Sequence, residues 1–356
     1  MEESVEQKVT RKDIAKLAGV SVSVVSRTLN NSGYVAEEKK KRILEIANDL
    51  HYVPHPVAMS LQQARTKQIL FYCKDLHNAF NIDLYTGMLE GAKNYGYMVL
   101  INGNLEFDDI RNTMVDGIIF QNEALASRYA KEYGKNYYMP AVTASFSEPV
   151  DPPRSVPVIE WDVSESMNKA IAYLRKKGHR KIAYASPYSY GDNNGRSNSW
   201  KRNMRYVFRD NLENYYLDVS SLTKEKFSST YWLDELAHFR YEETFYDKGE
   251  LAADIFWKRK LDATAVICFN DEFAIGLIQG LQKKGYCIPE DLSVMSFDAS
   301  FRGHSFSPII TSIAPDNKKY GSNLVTLLIR YINGEKISYF TRQPVTIREG
   351  ESVKAV

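Results

Sequence analysis

Apolar positions recur at helical spacing near the start of the chain. Ile14, Ala15 and Ala18 fall on one face of a predicted helix over 11–18, and Val25 and Leu29 turn inward from a second over 22–29. Gly19 stands where a left-handed residue ends a helix, and Thr10 and Ser21 suit the two N-caps. A third helix fits 37–50, with Ile43, Leu44, Ala47 and Leu50 on one face. After Arg65 and Lys67 the pattern changes to short apolar runs alternating with amphipathic stretches. Strands are predicted at 68–73, 97–101, 116–121, 140–145, 181–186, 264–270 and 292–298, and helices at 80–96, 164–178, 196–210, 249–259 and 271–285. Such alternation predicts an α/β body of parallel sheets of the doubly wound type behind an all-α N-terminal headpiece. Between the second and third strands only GNLEFDDIRNTMV intervenes, so a stunted helix is expected there.

Two short helices joined by about three residues that include Gly form the helix-turn-helix signature. In that arrangement the second helix enters the DNA major groove by its N-terminal end. Val22 and Ser23 then face base edges, with Arg27 one turn further on. Valine suits a thymine methyl, serine suits several edges, and arginine reaches guanine or a phosphate. The side chains of Thr10, Ser21, Ser26 and Asn30 suit phosphate oxygens. The same pattern also fits a structural helical hairpin.

Charge sharpens the choice. The chain carries a net +2, but residues 8–67 hold eleven Lys/Arg against five Asp/Glu, a net of +6. Three glutamates precede that stretch, which leaves −1 for residues 68–356. A basic module joined to a neutral body is what a nucleic-acid binder looks like. No run approaches a membrane span, and the polar start MEESVEQKVTRKD lacks the apolar region of a signal peptide. Cys73, Cys268 and Cys287 lie far apart and suggest core residues, not a disulfide framework. These features imply the cytoplasm.

VTRKDIAKLAGVSVSVVSRTLNNSGYVAEEKKKRILEIANDLHYVPHPVAMSL resembles the headpiece and hinge of the lactose/galactose repressor (LacI/GalR) family. The resemblance implies a homodimer on a pseudo-palindromic operator. By position it makes Val22, Ser23 and Arg27 base readers, and Asn30 and Tyr34 supporting DNA contacts. Residues 55–65 correspond to the hinge helix, too short to be stable alone, and Leu61 to the apolar wedge that kinks the minor groove. His51 and His55 have a metal-ligand spacing, but Pro54 and Pro56 break any helix between them, so no metal site is expected. Lys39 stands where the family often has Thr.

In open α/β sheets ligands bind outside the carboxyl ends of the strands. Phe80 and Asn81 follow the first strand, Gln121 ends the third, and Asn193, Asn194 and Arg196 follow KIAYAS. Asn270 and Asp271 follow TAVICFN, and Asp298 ends LSVMSFD. A carboxylate, a guanidinium, amides and aromatic rings on one cleft suit a polyhydroxylated ligand. Asp271 at a helix start also has an ordinary structural reading. GHRKIAYA, AVICFNDEFAIGLIQGLQKKGYCIPEDLSVMSFD and TIREGESV resemble the effector-binding core of the same family, similar to periplasmic sugar-binding proteins. That resemblance implies effector roles for Asp271, Arg196, Gln121 and Phe80, and two subdomains joined by three crossovers. The domains are then 1–54, a hinge at 55–65, and a body at 66–356 for effector binding and dimerisation. Within the body, subdomain one takes about 66–162 and 293–315, and subdomain two about 163–292 and 316–356. TSIAPDNKKYG departs from the family pattern at the expected third crossover, and Ser199 stands in place of a usual Gly. The aromatic segment 213–247 offers Trp232, Phe245 or Tyr246 to the cleft, or packs an insertion; Phe245 joins the candidate effector residues.

The sequence shows no G-x-S-x-G, P-loop or G-x-G-x-x-G motif and no His/Cys cluster with metal spacing, so an enzyme is not expected. The expected protein is a transcription repressor of carbohydrate-utilisation genes, without cofactor, controlled by a small sugar. A regulator responding to a non-sugar corepressor, and a sugar-binding protein of transport, are the alternatives.

Overall fold

The computed structural model describes residues 9–29, 33–50, 52, 65–73, 75–102, 107–133, 139–146, 156–222 and 244–356. The chain divides into two units at Thr66/Lys67.

In the first unit, α1 (Arg11–Ala18), α2 (Val22–Leu29) and α3 (Glu37–Asp49) surround a small core of Ile14, Ala15, Ala18, Val25, Ile43 and Ala47. Gly19 closes α1 at φ +66°, the left-handed conformation that costs glycine least. Ile43 and Ala47 face inward as the pattern predicts, but Leu44 is 45% exposed. It sits about 100° around the helix from Ile43, and half-buried Ile46 packs on the core instead.

The second unit holds two parallel sheets, each six-stranded among the described residues. The first contains β1 (Gln68–Tyr72), β2 (Met98–Asn102), β3 (Gly117–Phe120), β4 (Ala141–Ser145), β5 (Val158–Glu160) and β11 (Phe340–Arg342) in the order β11-β5-β4-β3-β1-β2. The second contains β6 (Ile182–Ser186), β7 (Tyr216–Asp218), β8 (Ala265–Cys268), β9 (Ser293–Phe297), β10 (Thr311–Pro315) and β12 (Val345–Arg348) in the order β12-β10-β9-β8-β6-β7. Among the described residues only the β10–β12 pair is antiparallel. Strands β1, β3, β4, β6, β8 and β9 are buried almost throughout, because helices cover both faces of each sheet. Those helices are α4 (Ala79–Lys93), α5 (Phe107–Asn112), α6 (Glu123–Tyr133), α7 (Val163–Lys176), α8 (Gly195–Phe208), α9 (Phe245–Arg259), α10 (Asp271–Gln282), α11 (Phe301–Ser305) and α12 (Asn317–Ile332). The six-residue α5 is the shortened element expected between β2 and β3.

The chain passes between the sheets after β5, after β10 and between β11 and β12. The sequence-based split of the body is corrected at two of these passages. Strands β9 and β10, assigned to subdomain one, pair in the second sheet, where β9 hydrogen bonds to β8. Residues 317–342, assigned to subdomain two, return to the first: α12 packs on α4, and β11 pairs with β5. Close helix contact accompanies this exchange. A Cβ on Gly321 would lie 2.0 Å from the Leu84 carbonyl oxygen, so only glycine admits the approach of α12 to α4.

Candidate functional site

On the first unit, α2 directs Val25 and Thr28 into the core, which turns Val22, Ser23 and Arg27 to the exposed side. Val22 is 41% exposed although apolar, and Tyr34 is 86% exposed. An outward valine at a helix start has no packing role to explain it. The hydroxyls of Ser21 and Ser23 pair at 2.9 Å. Ser26 Oγ accepts from Arg11 Nη1 at 3.1 Å, which ties α2 to α1. Thr10 donates its N–H and hydroxyl to Asp13 Oδ2 at 2.8 and 2.6 Å, and these bonds hold the Asp13 pKa below the usual carboxylate range. Arg27, Tyr34 and Lys40 line a shallow pocket with Gly33 and Glu37. Asn30 and Leu61 lie outside the described residues.

In the second unit, side chains converge at the carboxyl ends of the strands. Arg196 lies in the first turn of α8, whose N-cap is Asn194: the Asn194 Oδ1 accepts the N–H groups of Arg196 and Ser197. The Arg196 guanidinium carbon lies 4.5 Å from the ring centre of Phe297, 4.7 Å from that of Phe269 and 5.2 Å from that of Trp161. Its Nη1 donates to the Phe269 carbonyl at 2.5 Å, and its Nη2 lies 3.8 Å from Asp298 Oδ1. Stacking on three rings replaces the water that this buried cation loses. Phe80 and Phe146, from the first subdomain, pack on Trp161 with ring centres 5.5 and 6.1 Å away. Phe245 packs on Phe269, with ring centres 5.4 Å apart.

Asp271 starts α10 and is 1% exposed. Its Oδ2 accepts the Ser300 N–H at 2.6 Å and the Ser300 hydroxyl at 2.8 Å, and its Oδ1 accepts from the Ser296 hydroxyl. Burial raises its pKa against these donors. Asp298 is buried beside it with φ +89°. Burial, with like charge from Asp271, Asp75 and Glu272, pushes the Asp298 pKa up to about 7 against the pull of Arg196.

The structure therefore brings Phe80, Arg196, Asp271 and Phe245 into one continuous network, with two differences from expectation. Asp271 is not exposed; serine donors cover its carboxylate. Asn193 is exposed and its Oδ1 accepts from Asn198 Nδ2 at 2.7 Å, while the neighbouring Asn194 does the capping. Gln121 is buried after β3, its N–H donating to the Tyr72 carbonyl at 3.0 Å. Of the aromatic segment, Tyr246 bonds to Gln279 at 2.5 Å and so joins α9 to α10, and Trp232 lies outside the described residues. Trp161, Phe146, Phe269 and Phe297 were not singled out from the sequence. All four end a strand or directly follow one, so the strand-end rule reaches Phe146, Phe269 and Phe297. Trp161 was out of reach because its three-residue strand β5 had not been recognised.

Among the described residues, no group of three or more His, Cys, Asp or Glu side chains is placed to hold a metal ion, and no helix is long and apolar enough to cross a membrane.

Residues 10–55 match the family model described as bacterial regulatory proteins, lacI family, and residues 171–353 match that of the periplasmic binding protein-like domain. Catabolite control protein A of Priestia megaterium is 25% identical over 360 residues, covering 97% of this chain and 99% of that protein. The HTH-type transcriptional repressor PurR of Vibrio atlanticus is 27% identical, covering 91% and 92%. A crystal structure of the lac repressor dimer bound to operator and the anti-inducer ONPF shares the fold, with a TM-score of 0.69 at 18% identity over 98% of this chain and 100% of that one. The exposed helix-turn-helix face and the two-sheet body thus have a common explanation: this chain belongs to the LacI family of DNA-binding transcriptional regulators, which join a helix-turn-helix region to an effector-binding domain of two α/β subdomains.

Proposed function

We propose that the protein represses carbohydrate-utilisation genes in the cytoplasm as a homodimer, and that a small neutral sugar bound between the two subdomains sets its operator affinity. The observation that carries the sugar reading is the aromatic enclosure around Arg196, with Asp298 and Asp271 beside it. Ring faces suit the apolar face of a pyranose, and a guanidinium with carboxylates suits vicinal hydroxyls. In this reading Phe80, Gln121, Arg196, Asp271 and Phe245 serve the effector, and Asn193 acts from the rim. Val22, Ser23 and Arg27 read bases, with Thr10, Ser21, Ser26, Asn30 and Tyr34 supporting on the backbone and Leu61 wedging the central step. A purine-like metabolite acting as corepressor is the second reading, because stacked rings also suit a flat base.

The test is to select a half-site from random duplexes and follow operator binding by fluorescence anisotropy. Mono- and disaccharides, sugar phosphates and purine bases are then added in turn. Release by one neutral sugar supports the proposal. Binding that requires a purine favours the second reading. Failure to select any DNA overturns both.

A further inference from the structure

Residues 298–301 are held from two sides. Subdomain two takes both side chains and part of the backbone: the Asp298 carboxylate faces Arg196, and Ser300 donates its N–H and hydroxyl to Asp271. Subdomain one holds the backbone at the two ends of the segment. Asn317 Nδ2, at the start of α12, donates to the Asp298 carbonyl at 2.8 Å. Asp83 Oδ2, on α4, accepts the Phe301 N–H at 3.2 Å. Ala299 between them donates its N–H to Ser312 Oγ at 2.9 Å and accepts from Arg348 at 2.5 Å. Asp298 and Ala299 both have positive φ, at +89° and +43°. Non-glycine residues keep such a conformation only where their surroundings impose it.

We infer that this segment is the mechanical link between the effector pocket and subdomain one, with Asp83 as its positioning residue. The inference rests on the effector reading above. Asp271 has three protein donors on its two oxygens, so a ligand hydroxyl reaching it competes with Ser300. A ligand engaging Arg196 competes in the same way with Asp298. Either displacement pulls on the backbone that Asp83 and Asn317 grip. Asp83 and Asp271 sit on different subdomains, yet they hold the N–H groups of consecutive residues. Loosening one grip therefore loosens the other, and the coupling is reciprocal.

Amide hydrogen exchange on the full chain, without ligand, tests this link apart from the effector reading. Asp83→Ala speeds exchange not only at Phe301 but also at Ser300, and Asp271→Asn speeds it at Phe301. The expected change at the remote amide is about 5–150-fold, the usual range of coupling between sites. The Val294 amide, bonded to the Ser352 carbonyl in the second sheet, is the control and stays unchanged. Ser300→Ala removes one donor to Asp271 without a buried charge change, and replaces Asp271→Asn if that variant fails to fold. Acceleration confined to the amide each side chain itself holds, or equal acceleration at Val294, overturns the proposal. If the link is present but no ligand of the panel above alters DNA binding, the effector reading fails and the link stands.

Discussion

Arg196 and Asp298 face each other at 3.8 Å with both side chains about nine-tenths buried. At that distance the pair is too loose to offset the full cost of burying the carboxylate, and the Asp298 pKa is pushed up to about 7 in spite of its partner.

The pair gives stability a pH dependence. Asp298 has its pKa raised from 3.8 to about 7. A carboxyl raised on folding favours the fold fully below its unfolded value and loses that contribution as pH climbs through its native value. Asp298→Asn removes the titration, and asparagine is among the residues that tolerate positive φ best. The variant should gain on the order of 1–3 kcal/mol over the wild type at pH 8 compared with pH 4. Urea unfolding at the two pH values measures it; an equal difference at both would contradict the assignment.

His179 acts with the opposite protonation. Its Nε2 lies 3.0 Å from the Lys354 carbonyl, which can only accept, so Nε2 carries the proton and Nδ1 accepts from the Thr264 hydroxyl, also at 3.0 Å. Burial lowers the ring's pKa. Its contribution is complete above the ordinary value of about 6.5 and is lost as pH falls from there through the native value. His179→Gln should flatten this part of the profile, and thermal melts between pH 5 and pH 7.5 compare the two proteins.

Gly321 permits the contact of α12 with α4. Adding one methyl there forces the helices apart, since the obstructing atom is the Leu84 carbonyl oxygen of the backbone. Gly321→Ala should cost about 1–3 kcal/mol, read from the urea midpoint. A neutral effect would mean that the helices shift freely.

Arg27 separates base reading from phosphate binding. As a base reader, its replacement by alanine costs about 1–3 kcal/mol on the selected operator and relaxes preference at one base pair. As a phosphate contact, it weakens all sequences alike and reduces the salt slope by about one. Anisotropy titrations on matched and altered duplexes at several salt concentrations distinguish the two.

The headpiece was legible in the sequence almost to the residue. The predicted 11–18 and 22–29 coincide with α1 and α2, because short helices are set by local signals: a threonine at the start, a glycine at the end and apolar residues three and four apart. The seven predicted strands of the body were also found within one or two residues of their predicted ends, since a buried strand must be apolar along its length. What the sequence by itself could not decide was partnership. Strands β9 and β10 look alike for either sheet, and their membership depends on which helices pack beneath them. Where the chain returns to the first sheet, α12 packs on α4 at glycine contacts, and no local pattern encodes that choice. The cleft is similar. Asp271 and Arg196 could be picked out as residues after strands, but tertiary contacts alone covered Asp271 with Ser296 and Ser300 and set Arg196 among three rings drawn from three different strand ends. Local sequence sets which residues point out of an element; only packing over long sequence separations decides what they meet.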